Sequence, residues 1–327
     1  MKIVILGAGA LGSILAALLT RSGEDVSLIA RGARARLLAE RGVTLRGLEE
    51  ITVEVPIVEL PGESLRGRTC DVFVMTAKTY DTVSALEGVR GLKPEMAISV
   101  QNGVVKNEQL AAAFGWEHTA GCTANFSGEV LEDGAVLHTR NEGLYVGELP
   151  EGTSERVEAF VRVLQDAGVK AIASDRISSL EWSKYATWLG MTAVAVLTRV
   201  PTHILFGDRD LAVLQTELTR EAARLADAAG VEVVDLGPMI APKSMAEATT
   251  EESVATLQQA GAALVAAGTT NHRGSALQDL LRDRRLEVEE TYGYAVSQAA
   301  ELGVDVPRLE TCYRLLAAIN GSLRTAG

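Results

Sequence analysis

The chain has 327 residues, of which 47% are hydrophobic, enough to form the cores of two globular domains. Its 31 basic and 43 acidic residues give a net charge of −12. This charge opposes binding to the phosphates of nucleic acids and to anionic membranes. We therefore expect no nucleic acid and no membrane partner.

The cysteines and histidines are few and widely spaced. The three cysteines stand at positions 70, 122 and 312, and the four histidines at 118, 138, 203 and 272. No CxxC pair is present, and no HxxxH spacing places two ligands on one helical face. We expect reduced thiols in a cytoplasmic protein that acts on a small molecule, and no metal site.

As far as residue 175, short β-branched runs alternate with amphipathic helical stretches. This alternation is typical of βαβ units around a parallel sheet. The clearest predicted strands are Lys2 to Leu6, Val26 to Ala30, Val72 to Met75 and Ala97 to Val100.

Between Asn125 and Val146 the pattern changes to strands interrupted by turn signals. Two such signals are present, at Glu132-Asp133-Gly134 and at Asn141-Glu142-Gly143. They predict antiparallel hairpins that extend the sheet.

Beyond residue 175 helical patterns dominate to the C-terminus. The predicted fold class is therefore α/β, with an N-terminal Rossmann dinucleotide-binding domain followed by an all-helical C-terminal domain. We place the NADP-binding domain at residues 1–175 and the helical substrate and catalytic domain at residues 176–327. The apolar helical half makes a homodimer an open expectation.

The first predicted strand runs directly into a G-x-G-x-x-G motif and a helix. The motif comprises Gly7, Gly9 and Gly12, with Ala10 and Leu11 between the last two. Gly7 permits a tight turn, Gly9 lets the backbone approach a pyrophosphate, and Gly12 allows close packing of helix on strand. This context predicts a dinucleotide site.

Arg31 follows the second predicted strand, where NAD-binding proteins usually carry an acidic residue. A guanidinium pairs with a 2′-phosphate that a carboxylate would repel, so Arg31 favours NADP over NAD. Arg34 and Arg36 are expected on the solvated face of the following helix.

Two further polar segments follow predicted strands at the same sheet edge. Lys78 comes after the third strand and Asn102, within Gln101-Asn102-Gly103, after the fourth. Open α/β sheets bind ligands at this edge. Each residue also has an alternative to ligand binding. Lys78 could be an exposed lysine at the start of a helix, and Asn102 could form a turn with Gly103.

A helix beyond residue 178 carries Lys184, Trp188 and Thr192 at i, i+4 and i+8, on one face. A lysine partly desolvated in this apolar stripe would have its pKa lowered, which suits a general acid that protonates a carbonyl oxygen. The alternative is a lysine that extends its ammonium to solvent at the domain junction.

Taken together, these motifs resemble the landmarks of the ketopantoate reductase (2-dehydropantoate 2-reductase) family, in the same order along nearly the whole chain. The helical half contributes the more specific ones, which are Trp182-x-Lys184, Ser275-x-x-Gln278-Asp279, and Glu287 followed by Gly293.

The resemblance implies NADPH-dependent reduction of a 2-oxo acid to a 2-hydroxy acid, as in pantothenate biosynthesis. Lys184 would be the general acid, Glu287 its partner or a substrate contact, and Ser275 the group that holds the carboxylate. Asn102 would order nicotinamide and substrate, while Arg31 and Lys78 would bind the NADP phosphates.

One departure concerns the substrate. Family members that use ketopantoate typically carry asparagines four and eight residues after the catalytic lysine, where this chain has Trp188 and Thr192. The indole has no amide acceptor, so the pocket becomes more apolar. There are two alternatives to a ketopantoate-like substrate. One is the reduction of a different, more apolar carbonyl or imine substrate, and the other is a catalytically silent NADP-binding regulator.

Three of these residues have an alternative structural role. Ser275 could cap a helix, Glu287 could belong to a solvated run of carboxylates, and Trp188 could pack in the core.

Overall fold

The computed structural model describes residues 1–59, 65–237 and 239–325, which form two compact units. The first comprises Met1–Asn102 and Lys106–Ser178, and the second comprises Gly103–Val105 and Ser179–Gly327. No helix among the described residues is long and apolar enough to cross a membrane.

The first unit is built on a parallel sheet with strand order β5-β2-β1-β6-β7. Its strands are β1 (Lys2–Leu6), β2 (Asp25–Ala30), β5 (Ile57–Glu59), β6 (Thr69–Met75) and β7 (Lys93–Ser99), and the helices are α1 (Ala10–Arg21), α2 (Gly32–Arg41), α3 (Thr82–Glu87), α4 (Val105–Phe114) and α5 (Glu155–Asp166). All four strand pairs are parallel. The predicted Rossmann architecture, with helices following the strands, is confirmed.

Helix α1 has an uninterrupted run of buried residues from Gly12 to Leu19. A helix buried on all sides must pack between layers. In the core of this unit its side chains lie among residues of the parallel sheet, such as Ile5, and of later strands, such as Phe126.

The later strands form a separate second sheet and do not extend the first one. Its strands are β3 (Val43–Gly47), β4 (Ile51–Val53), β8 (Ala120–Val130), β9 (Val136–Glu148) and β10 (Ala171–Ala173), in the order β10-β9-β3-β4 with β8 paired to β9. The predicted extension of the parallel sheet is therefore wrong.

Of the two predicted turns in this region, only the first is present. Strands β8 and β9 are joined across Glu132-Asp133-Gly134, and their antiparallel pairing runs along both strands. Asn141 and Gly143 pair with consecutive residues of β8, so Glu142 is the extra residue of a β-bulge. The second turn signal is therefore a bulge within β9.

Among the described residues of the second unit, the regular elements are all helices, as the sequence predicts. It contains α6 (Ile177–Thr198), α7 (Thr202–Gly207), α8 (Arg209–Ala228), α9 (Pro242–Glu247), α10 (Thr250–Ala266), α11 (Ser275–Leu281), α12 (Tyr294–Leu302) and α13 (Pro307–Thr325), with a π-helical turn at Glu289–Gly293. Helix α6 begins at the last two residues of the first unit.

Two contacts fix this bundle from the inside. A Cβ atom at Gly190 of α6 would lie 2.8 Å from the carbonyl oxygen of Gln215, so only glycine lets α8 approach so closely. The Glu221 side chain is 1% exposed and accepts hydrogen bonds from the backbone amides of Arg308 and Leu309 at the start of α13. A carboxylate at this end also complements the helix dipole.

The Glu290 carboxylate in the π-helical turn is partly buried and poorly compensated by its surroundings. Its side chain is 18% exposed, with the Arg285 guanidinium 4.0 Å away, and its Oε2 atom accepts no hydrogen bond from the described residues. Burial raises the pKa of this carboxyl above its ordinary 4.5, and the charges of Glu287 and Glu289 add to the shift. The ionised form is therefore disfavoured in the folded protein.

We predict that Glu290→Gln stabilises the protein at pH 8. Because the pKa is raised, the unfolded chain loses this proton at a lower pH than the folded protein does, so stability falls as pH rises through the raised pKa. We expect a gain in unfolding free energy of about 1 kcal/mol at pH 8 and a smaller gain at pH 5.

Urea unfolding at both pH values measures this difference, with Glu87→Gln, at an exposed glutamate of α3, as the control. An equal gain at pH 5 and pH 8, or a matching gain in the control, would contradict the assignment to Glu290.

Candidate active site

The predicted cofactor residues of the first unit lie at one edge of its parallel sheet. Because β1, β2, β6 and β7 are parallel, their carboxyl ends meet there. The residues that follow these ends are Gly7, Gly9, Ala10, Leu11, Gly12, Arg31, Lys78 and Asn102. The structure thus brings together the whole predicted cofactor set.

The glycine loop is formed by close approaches between backbone segments. Gly7 has φ +119°, and a Cβ atom there would lie 2.5 Å from the amide nitrogen of Ala77. At Gly12 a Cβ atom would lie 2.0 Å from the carbonyl oxygen of Gly7. The Thr76 hydroxyl donates a 2.6 Å hydrogen bond to that same carbonyl oxygen. The turn, the helix start and the loop after β6 therefore fix one another.

Gly9 has the opposite environment. It immediately precedes α1, is exposed, and a Cβ atom there would meet none of the described residues within 4 Å. The space beside its backbone is open, next to the first N–H groups of α1. Such a helix start is suited to bind a phosphate group.

A side-chain network fixes the two loops that carry Lys78 and Asn102. The Gln101 amide donates to the carbonyl oxygen of Ala77 at 2.7 Å and to the Thr82 hydroxyl at 2.8 Å. Lys106, which is 1% exposed, donates to the carbonyl oxygen of Gln101 at 3.0 Å. Lys78 and Asn102 are both half-buried, so neither is a fully exposed loop residue.

The prediction that Arg34 lies on a solvated helix face is wrong. Its guanidinium donates to the carbonyl oxygen of Ala8 at 3.0 Å, to the Ser13 hydroxyl at 3.2 Å, and to the carbonyl oxygen of Gly134. Burial lowers its pKa. Arg34 therefore joins the glycine loop, the start of α1 and the β8–β9 turn. Arg36, by contrast, is exposed as predicted.

In the second unit, the predicted catalytic face of α6 packs beside the segment that carries Glu287. Lys184 and Trp188 are half-buried, and Thr192 is 6% exposed. The rings of Trp188 and Tyr292 lie 6.0 Å apart between centroids, tilted by 38°.

Two buried tyrosines hold this segment to α6. Tyr185 donates to the carbonyl oxygen of Thr291, and Tyr292 donates to the carbonyl oxygen of Leu189, both at 2.6 Å. Burial raises the pKa of both phenols well above 10, so both remain donors. Half-buried Glu287 stands two residues before the π-helical turn, a feature often found at functional sites.

Ser275 is exposed and is the first residue of α11, where Gly274 occupies the capping position. Its hydroxyl is therefore not the helix cap that the sequence left open. The preceding loop is fixed to α7, because the Thr202 hydroxyl and His272 Nδ1 lie 2.8 Å apart.

Sequence reasoning missed Arg34, Gln101, Tyr185 and Tyr292 as parts of these arrangements, together with Asp81. Asp81 lies in the short 3₁₀ turn Thr79–Asp81 and pairs with Arg31, from Nη2 to Oδ2, at 2.6 Å. The sequence indicates only that Asp81 stands three residues after Lys78, near the end of a predicted strand. It does not indicate the ion pair, because Arg31 lies 50 residues away along the chain.

Two family models match the chain. The model described as ketopantoate reductase PanE/ApbA matches residues 3–151, and that of its C-terminal domain matches residues 176–320. Together they cover most of the chain, so the predicted resemblance is confirmed.

Individual relatives agree with this result. A 2-dehydropantoate 2-reductase from Pyrococcus horikoshii is 28% identical over 309 residues, which cover 94% of this chain and 93% of the relative. A ternary structure of D-mandelate dehydrogenase with NADH and anilino(oxo)acetate has a TM-score of 0.84 at 20% identity, covering 99% of this chain and 100% of that one.

A dimeric ketopantoate reductase from Staphylococcus aureus has a TM-score of 0.76 at 21% identity, covering 99% of this chain and 100% of that one. At these identities the two solved structures establish a shared fold. On the evidence of the family models, the chain belongs to the ketopantoate reductase PanE/ApbA family and is an oxidoreductase.

Proposed function

We propose that the protein reduces a 2-oxo acid of the ketopantoate kind to the corresponding 2-hydroxy acid, with NADPH as the reductant. The observation that carries this proposal is the packing of the Lys184 helix against the Glu287 segment, maintained by Tyr185 and Tyr292. A proton donor and a carboxylate are thereby offered on adjoining, rigidly held elements.

The glycine edge of the first unit fits the dinucleotide. The open backbone at Gly9 and the N–H groups of Ala10 and Leu11 would receive the pyrophosphate. Arg31 and Lys78 would bind the NADP phosphates, with Arg31 at the adenosine 2′-phosphate, and Asn102 would order the nicotinamide and the substrate. When bound, NADPH supplies the hydride that the carbonyl carbon accepts.

The remaining chemistry falls to side chains of the second unit. Lys184 would donate a proton to the carbonyl oxygen as negative charge develops there. Glu287 would orient that ammonium or hold the substrate, and Ser275 would bind the carboxylate. Trp188 and Thr192 would line the pocket for the rest of the substrate.

Trp188 favours a second candidate, which is the same reaction on a more apolar carbonyl or imine substrate. Its indole packs against Tyr292, so the face beside Lys184 is aromatic. Mandelate, the substrate named for one neighbour of this fold, is itself an aromatic 2-hydroxy acid.

The proposal extends to organisation. We propose that residues 1–175 bind the nucleotide and that residues 176–327 supply the substrate and catalytic groups. The dimeric Staphylococcus aureus neighbour supports a homodimer. Cys70, Cys122 and Cys312 are buried and unlinked. We propose a cytoplasmic location, a compartment in which thiols are kept reduced.

We predict that Lys184→Ala lowers kcat by roughly 10²- to 10⁴-fold, the contribution of one general acid, and leaves NADPH affinity nearly unchanged. Lys184→Arg should be almost as slow, because a guanidinium keeps the charge but does not release a proton. Stopped-flow measurement of NADPH oxidation gives kcat, and a fluorescence titration gives the affinity. Lys170→Ala, at an exposed lysine, is the control; full turnover by Lys184→Ala would refute the role.

We predict that the double substitution Trp188→Asn, Thr192→Asn shifts preference towards ketopantoate by roughly 10- to 100-fold in relative kcat/KM. The measurement is NADPH oxidation against a panel of 2-oxo acids that includes ketopantoate and phenylglyoxylate. An unchanged preference would show that these residues do not line the pocket. Silence across the panel despite tight NADPH binding would favour a regulator.

We predict that Arg34→Ala weakens NADPH and NADH binding in equal proportion, by about tenfold, because it releases the backbone of the glycine loop. Fluorescence titration of both nucleotides measures the effect, and Arg36→Ala on the same helix is the control. A loss confined to NADPH would instead indicate a direct contact with the 2′-phosphate.

A further inference from the structure

The Arg31–Asp81 ion pair spans the carboxyl end of β1. Arg31 follows β2 and Asp81 lies in the turn after β6, and these two strands flank β1 on opposite sides. Neighbouring strands are about 4.8 Å apart, so the two strand ends are separated by about 10 Å. The Arg31 and Asp81 side chains together bridge this distance.

This pair contributes little to the fold. The side chains are 66% and 30% exposed, and ion pairs of such exposure contribute little stability. The Asp81 backbone is fixed independently, because its amide donates to the carbonyl oxygen of Lys78 at 2.9 Å. The carboxylate is thus held beside Arg31 for reasons other than stability.

Asp81 acts differently on the two nicotinamide dinucleotides. A 2′-phosphate carries close to two negative charges, so it is repelled by this carboxylate and must share the Arg31 guanidinium with it. A ribose 2′-hydroxyl carries a proton that a carboxylate can accept in a hydrogen bond, which is the usual device of NAD-binding sites. Arg31 therefore favours NADPH while Asp81 opposes that preference.

We propose that Asp81 is a specificity-determining residue that restrains the preference for NADPH over NADH, through its ion pair with Arg31. This inference rests on the proposed function, in which a nicotinamide dinucleotide binds at the glycine edge. Asp81 is distinct from the groups proposed for proton transfer.

The test is equilibrium binding of NADPH and NADH, measured by nucleotide fluorescence, for the unaltered protein and for Asp81→Asn. We expect the substitution to tighten NADPH binding by about tenfold and to weaken NADH binding or leave it unchanged. Competition by 2′,5′-ADP against 5′-ADP isolates the 2′-phosphate and should shift in the same direction. Glu87→Gln, at the far exposed end of α3, is the matched control with the same change of charge.

Arg31→Gln completes a double-mutant cycle. In that background Asp81→Asn should keep only the part of its effect on NADPH that comes from direct repulsion of the 2′-phosphate; a full effect would overturn the role of the ion pair. An unchanged ratio of the two dissociation constants in Asp81→Asn, or an equal change in Glu87→Gln, would overturn the inference alone. Failure of the unaltered protein to bind either nucleotide would overturn the proposed function together with it.

Discussion

The nucleotide half of the protein depends on the close approach of three backbone segments at the end of β1. A Cβ atom at Gly7 would lie 2.5 Å from the backbone of Ala77, and one at Gly12 would lie 2.0 Å from the carbonyl oxygen of Gly7. Because both clashes would be with backbone, no side-chain rotation relieves them. The glycines thus fix the turn, the helix start and the loop after β6 together, and that edge presents Arg31, Lys78 and the open backbone at Gly9.

This local character explains which parts of the fold could be predicted from the sequence. Strand β1 and its glycines are adjacent in the chain, so their pattern predicts their structure. The second sheet depends on β9, which pairs with β3, β8 and β10, and no local pattern carries that information. At Glu142 the pairing with β8 overrode a local turn signal and made a bulge.

The same distinction applies to the candidate site. The place of residues that follow predicted strands could be predicted, since Arg31 and Asn102 lie at the expected edge of the sheet. Arg34 was misjudged because its acceptors, such as Gly134, lie up to 100 residues away, so one helical turn did not reveal that it is partly buried. Tyr185 and Tyr292 were overlooked for the same reason, since each is an ordinary core aromatic until its hydroxyl partner about 100 residues away is known.

In both units, backbone and buried contacts fix the position of the candidate site, and side chains that project from it would determine specificity. At the glycine edge, backbone contacts determine where a dinucleotide can bind, whereas the exposed pair of Arg31 and Asp81 contributes little to stability. On α6, buried tyrosine hydrogen bonds fix the helix against its neighbour, whereas Trp188 projects from that fixed face. In the proposed function, the choice of cofactor thus depends on exposed side chains that can be exchanged at little cost to folding, and the choice of substrate on side chains of the α6 face. Under that proposal, substitutions of these side chains change specificity while the contacts that fix the backbone stay in place.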